Sequence, residues 1–438
     1  MRTNEIPPIT RRQFARFLGT LTLPLVAPIH TFGQGRQWRV TGYDIPELKS
    51  FDQTIEEYMR ARNIRSGELA VTCNGRLVLA HGYSWDDGTN ASVQPTSLFR
   101  IASLTKPFTA AVILRLVQDG RLDLATPITS ILPLTPPSGR QRDPRFEQIT
   151  VLHLLQHLGG WDRDRTFDPM FYDATISRAL NVPLPIDVNH IITFMAGQSV
   201  DRPPGTAYYY SNFGYALLGR VIEHVTGLSQ EAAVRDTLLQ PLRIGRMRLG
   251  RTRPELKAEG EVTYESIYTA TTVMNGSGAT VPSQYGGFNL ENMAAHGAWL
   301  GSAIDLGRLA ASFYDPNSNP VLSPASIDRM FALPATGLQA GGWYYGCGWQ
   351  VRQFSGGWRN TWHTGSLVGT TSLLVRRWDG LDWAVVFNQR DDPTDRTSST
   401  YFAIDGSLHA AADAVQRWPT HDLFEEYLTS VPTVSRRR

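Results

Sequence analysis

Two tight-turn signals about three hundred residues apart constrain this chain more than any other feature. Residues 68–73 (Glu-Leu-Ala-Val-Thr-Cys) and 76–81 (Arg-Leu-Val-Leu-Ala-His) flank Asn74-Gly75, a pair suited to a two-residue hairpin because both central positions need positive φ. Residues 370–376 and 382–387 flank Asp379-Gly380, which reads the same way. Two hairpins so far apart are expected to share one antiparallel sheet built from both ends of the chain.

Between them the periodicity turns helical. Residues 105–119, closed by Gly120, and 213–226, closed by Gly227, carry apolar residues three and four apart and a glycine at the expected stop. Proline-rich stretches at 133–137 and 183–185 read as loops, and a last helix is expected over about 407–417. The fold class implied is α/β (α+β): an antiparallel sheet flanked by helices, with an inserted all-helical lobe. The sheet lobe takes about 48–98 and 340–417, the helical lobe about 99–339, all within one domain over 36–438. A chain of 438 residues that is 42% hydrophobic has material for such a core. Its net charge of +2 gives no reason to expect nucleic acid, so a small molecule or peptide is the expected partner. Cys73 and Cys347 match no metal or redox spacing and read as small buried residues, with pairing left open.

Residues 1–35 stand apart. Arg11-Arg12 precede a short apolar run from Phe17 to Ala27, the pattern of a twin-arginine export signal, too short to span a membrane stably. An exported address follows, periplasmic or extracellular, with processing between Ala27 and Gly35 or retention as an anchor. Membrane association is expected only through this segment.

The chemistry is concentrated around Ser103-Leu104-Thr105-Lys106. Lys106 is one of three lysines, with Lys49 and Lys257, among forty-two basic residues. A chain that otherwise uses arginine keeps lysine where guanidinium cannot serve, and proton acceptance is such a place, because an amine can be desolvated and lose its proton. Three residues apart at a helix start, amine and hydroxyl share a face, so Ser103 reads as a nucleophile activated by Lys106. Tyr210 and Asn212, just before the second helix, bring a phenol for proton relay and an amide to hold a carbonyl or the lysine. Trp362-His363-Thr364-Gly365-Ser366, ahead of the strand from Thr370, adds polar contacts from His363 and Thr364. There, Gly365 lets a substrate lie close to the strand edge, and the Ser366 amide helps hold an oxyanion.

Serine-x-x-lysine, tyrosine-x-asparagine, then a basic residue with threonine and glycine on a late strand, in that order, resemble the three motifs of serine β-lactamases and penicillin-binding proteins. The flanking text, Phe99-Arg100-Ile101-Ala102 before the serine, residues 149–155, and Phe213-Gly214-Tyr215 after the asparagine, looks like the branch holding class C β-lactamases, D-alanyl-D-alanine carboxypeptidases and related esterases. The resemblance covers about residues 48–415. It implies that Ser103 attacks a carbonyl, Lys106 and Tyr210 share the proton traffic, and Asn212 positions the lysine and the substrate amide. The oxyanion would lie between the amides of Ser103 and Ser366, and no metal or cofactor is implied. His363 stands where class C enzymes carry lysine. An imidazole of ordinary pKa, about 6.5, is only fractionally charged near neutrality, so carboxylate recognition is expected to be weaker and more pH-dependent than with lysine. That favours a small ester, amide or D-amino-acid peptide over efficient β-lactam hydrolysis.

His153 and His157, four apart on an expected helix, have metal-ligand spacing but no acidic or cysteine partner nearby, and read as structural. His296 falls where the branch has small residues lining the cleft, and the aromatic run 343–349 reads as a strand packed on a helix or a wall of the site. An α/β-hydrolase would need G-x-S-x-G, which no serine here has. A catalytically silent binding relative would have little reason to keep Lys106.

Overall fold

A computed structural model describes residues 36–86, 92–391 and 403–428. The twin arginines and the stretch from Ala27 to Gly35 lie outside the described residues. One eight-stranded antiparallel sheet organises the rest. In chain order its strands are β1 (Gln37–Thr41), β2 (Ser66–Cys73), β3 (Arg76–Asp86), β4 (Tyr344–Tyr345), β5 (Gln350–Gln353), β6 (Arg359–Leu367), β7 (Thr370–Arg376) and β8 (Leu381–Phe387). They lie in the spatial order β1-β3-β2-β8-β7-β6-β5-β4, so the N-terminal β2 pairs with the C-terminal β8 in the middle of the sheet.

Period-two alternation explains why both faces are covered. Leu69, Val71, Leu373, Val375, Trp383 and Val385 point to one side. There they meet Phe51, Ile55 and Met59 of helix α1 (Lys49–Ala61) and Leu408, Ala411 and Ala412 of the C-terminal helix Asp405–Asp413. Ala70, Leu374, Ala384 and Val386 point to the other, against Leu306, Leu309 and Ala310 of the helix Ala303–Ala311. Asn74 and Gly75 take φ of +52° and +77°, and Cys73 pairs with Arg76, as the hairpin signal requires. The second hairpin differs. Only Gly380 is left-handed, the Arg377 amide donates to the Leu381 carbonyl, and three residues, Trp378 to Gly380, form the loop. A single αL residue closes a three-residue loop as well as a two-residue one, so Asp-Gly alone did not fix the length.

Helix α2 (Thr105–Gln118) is buried on almost every side, including at Lys106, because its sequence is apolar all round rather than on one stripe. Helix α3 (Asn212–Thr226) ends at Gly227, φ +73°. The inserted segment is not all helix. Phe99–Arg100, Trp299–Gly301 and Arg248–Leu249 form a small three-stranded sheet, and Thr269–Thr271 pairs with Thr280–Pro282. Strands of two or three residues are too short to show a period. The closing helix runs Asp405–Asp413, four residues short of the expected end. Cys73 and Cys347 are both buried and free.

Candidate active site

Ser103 sits in a single 3-10 turn, Ala102–Leu104, that runs directly into α2. Ala102 is held at φ +48°, a conformation that strains a residue bearing a Cβ by about 1–2 kcal/mol. Its surroundings impose it. The Ile101 amide donates to the Trp299 carbonyl at 3.0 Å, Ser372 Oγ donates to the Ile101 carbonyl at 2.8 Å, and Thr370 Oγ1 to the Arg100 carbonyl at 2.8 Å. Strand β7 thus fastens the segment that presents the nucleophile.

Lys106, one turn on, is fully buried. Burial and then the Arg163 guanidinium hold its pKa well below the ordinary ammonium range, with Asp168 opposing. The neutral amine this favours has two N–H groups and one lone pair. Two acceptors face the nitrogen, Asn212 Oδ1 at 2.8 Å and the His296 carbonyl at 3.2 Å, and they take both N–H groups. The third neighbour is Ser103 Oγ at 3.1 Å. The lone pair is therefore left for the serine hydroxyl, which donates to it.

Tyr210 and Asn212 arrive from the entry to α3. Ser211 caps the helix by accepting from the Gly214 amide at 3.1 Å, which places Asn212 in its first turn. Lys106 Nζ lies 4.6 Å from the centre of the Tyr210 ring. His157 lies against the same ring at 4.3 Å between centroids, and Arg163 Cζ is 4.7 Å from its centre. His157 is not on a helix face with His153. The helix Val151–Leu155 stops first, and His157 takes φ +57°. From there its carbonyl accepts from the Tyr209 amide and its Nδ1 from the Ser211 amide, holding the tyrosine segment from two sides. His153 instead closes a capping box with Thr150.

His363, Thr364, Gly365 and Ser366 lie within β6 rather than ahead of a strand. Strand β5 covers β6 only over residues 359–362, so the edge of 363–367 opens into the cleft. Gly365 serves the fold more than the substrate. A Cβ there would stand 2.0 Å from Ser372 Oγ and 2.4 Å from the Ile101 carbonyl, so its role is to let β6 close on the turn that carries Ser103. His363 is 2% exposed, and its burial is the main cause that pushes its pKa down to about 3. Its Nδ1 lies 2.7 Å from the Thr364 carbonyl and therefore carries the proton; Nε2 accepts from Tyr345 Oη at 2.8 Å. The expectation of a fractional charge near neutrality does not hold, because the ring is desolvated.

The cleft has a volume of about 390 Å³ and is lined by Ser103, Tyr210, Asn212, His363, Thr364 and Ser366; Lys106 and Gly365 are not among its lining residues. His296 also lines it, with its Nε2 buried and unpartnered. Of the aromatic run, Trp343 meets Tyr208 edge-on at 5.6 Å and Tyr345 donates to His363, so the run backs two lining residues and does not itself line the cleft. Sequence reasoning missed Arg163, Asp168 and Tyr208 and saw Tyr345 only as part of an aromatic run; nothing in their spacing marks them, since each reaches the site through a loop or a short strand. Among the described residues no group of histidine, cysteine and carboxylate side chains has a metal-binding arrangement.

A serine, a buried amine, a phenol and an amide thus converge beside a strand edge. The chain belongs to the β-lactamase family, whose model, described as Beta-lactamase, matches residues 51–407. As a member of that family it is a serine hydrolase. Among curated relatives it is 27% identical over 295 residues to a probable fimbrial assembly protein FimD, serogroup H1, of Dichelobacter nodosus, covering 66% of this chain and 68% of that one. It is 30% identical over 195 residues to protein flp of Staphylococcus aureus, covering 44% of this chain and 36% of the relative. Two solved structures share the fold. One is a D-amino acid amidase from Ochrobactrum anthropi SV3 complexed with D-phenylalanine (TM-score 0.63, 22% identity, 85% of this chain and 99% of that one). The other is an octameric penicillin-binding protein homologue from Pyrococcus abyssi (TM-score 0.59, 24% identity, 79% and 74%).

Proposed function

We propose that this protein is an exported hydrolase that forms a covalent acyl-enzyme on Ser103 with a small ester, amide or D-amino-acid peptide. The observation that carries the reading is the Lys106 nitrogen, its two N–H groups taken by Asn212 and the His296 carbonyl and its lone pair left for Ser103 Oγ. The Oγ–H proton passes to Nζ as the Oγ–carbon bond forms. The carbonyl oxygen takes up the electron pair between the amides of Ser103 and Ser366, a kind of contact typically worth about a hundredfold or more in rate. The tetrahedral adduct then collapses, its leaving group takes a proton from Tyr210, and water resolves the acyl-enzyme by the same path in reverse.

Charge in the cleft supports a small neutral acyl donor. His363 is uncharged, and the two arginines of the lining have carboxylate partners, Arg163 with Asp168 at 3.6 Å and Arg390 with Asp391 at 2.7 Å. The likeness to a D-amino acid amidase supports the amide and D-peptide side of the reading. Export rests on Arg11-Arg12 and the apolar run that follows. A fluorophosphonate is expected to label the wild type on Ser103, with labelling lost in Ser103→Ala and greatly reduced in Lys106→Ala; equal labelling of wild type and Ser103→Ala refutes the proposal. Short-chain p-nitrophenyl esters are expected to turn over faster than cephalosporins, and the reverse ranking would refute the substrate class.

A further inference from the structure

A chain of contacts runs from the rim of the cleft to the nucleophile and passes through a residue outside the three motifs. Arg163 Nη1 lies 3.6 Å from Asp168 Oδ2, Asn212 Nδ2 donates to that same oxygen at 2.6 Å, Asn212 Oδ1 faces Lys106 Nζ at 2.8 Å, and Nζ faces Ser103 Oγ at 3.1 Å. The other Asp168 oxygen accepts from the Met170 amide at 3.2 Å and starts the short turn Pro169–Phe171, whose Phe171 lines the cleft.

An asparagine side chain fits its pocket nearly as well turned over, and only its partners decide which end is the oxygen. Turned over here, Asn212 would present its NH₂ to Lys106. An N–H aimed at a neutral amine can bond only to the lone pair, which is the electron pair Ser103 needs. A carboxylate accepts and never donates, so it cannot face the amide oxygen without two acceptors meeting. Resting on the proposed acyl-transfer reading, we infer that Asp168 is a positioning residue: its carboxylate locks the Asn212 amide so that the Lys106 lone pair stays free for Ser103. The same carboxylate ties that lock to the cleft wall carrying Arg163 and Phe171.

The charges around the amine give the test its sign. Lys106 is surrounded by the rings of Tyr210 and Tyr215, by His157, His296 and His363, all held neutral by burial, and by Arg163 and Asp168 as the charged pair. Arg163 disfavours a proton on Lys106 and Asp168 favours one. The experiment is the second-order rate of fluorophosphonate labelling of full-length protein against pH, in the wild type and in Asp168→Asn, Asp168→Glu and Arg163→Met. Asparagine at 168 accepts either orientation of Asn212, so Asp168→Asn is expected to lower the plateau by about 10- to 100-fold, the range for one hydrogen bond to a charged group. Its acid limb is expected to move to lower pH because an anion near Lys106 is gone. Asp168→Glu, which keeps a carboxylate, is expected to recover part of the plateau.

Arg163→Met alters a half-exposed rim residue and is expected to move the acid limb the opposite way, to higher pH. A merely structural role for Asp168 would lower the plateau in Asp168→Glu as far as in Asp168→Asn, without the recovery a carboxylate gives. A plateau within twofold of wild type in Asp168→Asn overturns the inference. Should Asp168→Asn not fold, Asp168→Glu decides, and a plateau lowered by more than a hundredfold despite the retained carboxylate overturns it. A wild type that is not labelled at all defeats the acyl-transfer reading instead, so the two failures are distinguishable.

Discussion

Replacing Gly365 with alanine tests whether the close approach of β6 to the Ala102–Leu104 turn is what sets the nucleophile. The added methyl would stand 2.4 Å from the Ile101 carbonyl and 2.0 Å from Ser372 Oγ, where ordinary contact begins at 3.4 Å. Ser372 cannot swing away without leaving the Ile101 carbonyl, to which it donates at 2.8 Å, and the carbonyl is main chain. Strand and turn must therefore separate by about 1 Å, the shortfall against the carbonyl. Overpacking of this kind costs about 1–3 kcal/mol of stability. A 1 Å error in a reacting group costs about a hundredfold in rate, equal to about 2.7 kcal/mol of barrier. Gly365→Ala is expected to melt a few degrees lower and to react with a fluorophosphonate about a hundredfold more slowly. Adding Ser372→Ala removes only one of the two clashes and is not expected to restore the rate. Labelling of Gly365→Ala within threefold of wild type would refute the argument, since the turn would then tolerate a gap that the geometry says it cannot.

Two further outcomes concern buried titrating groups away from the cleft. Burial raises the Asp173 carboxyl to about 7, and its Oδ2 has no partner. The folded state thus prefers the neutral acid, and its advantage is complete below the ordinary value near 3.8 and lost as pH rises through about 7. Asp173→Asn, which cannot ionise, is expected to raise Tm over wild type at pH 8.5 and not at pH 4; an equal change at both would refute the assignment. His81 has Asp52 Oδ1 2.7 Å from Nδ1 and the Tyr43 carbonyl 2.7 Å from Nε2. Burial opposes a charge there, yet the Asp52 and Tyr43 bonds outweigh it and raise the pKa above 6.5. The charged ring therefore stabilises the fold fully below 6.5 and ceases to do so as pH rises through the raised value. Asp52→Asn is expected to lower Tm more at pH 5.5 than at pH 9, and the opposite order would refute it.

The parts of this protein legible in its sequence were those with a short-range cause. Asn74-Gly75 fixed a hairpin because both residues must be left-handed, and Gly120 and Gly227 stopped helices where a positive φ was needed. Ser103 and Lys106 were found because three residues of helix put them on one face. Asp168, the bond from Tyr345 to His363 and the second role of Gly365 were not legible, because each depends on which distant residue comes alongside, here Asn212, His363 and Ile101. His363 was seen but its state was misjudged: a residue's type gives its ordinary pKa, and only its burial shows how far it has moved.

The pairing of β2 with β8 carries a consequence for synthesis. Strand Ser66–Cys73 is made early, but the neighbour that satisfies its outer edge, Leu381–Phe387, leaves the ribosome more than three hundred residues later. Until then the nascent chain holds an open, apolar strand edge, the kind of surface that recruits chaperones or aggregates. Any premature stop before residue 381 removes the partner altogether, so a truncated product is left with half a sheet and no means of closing it.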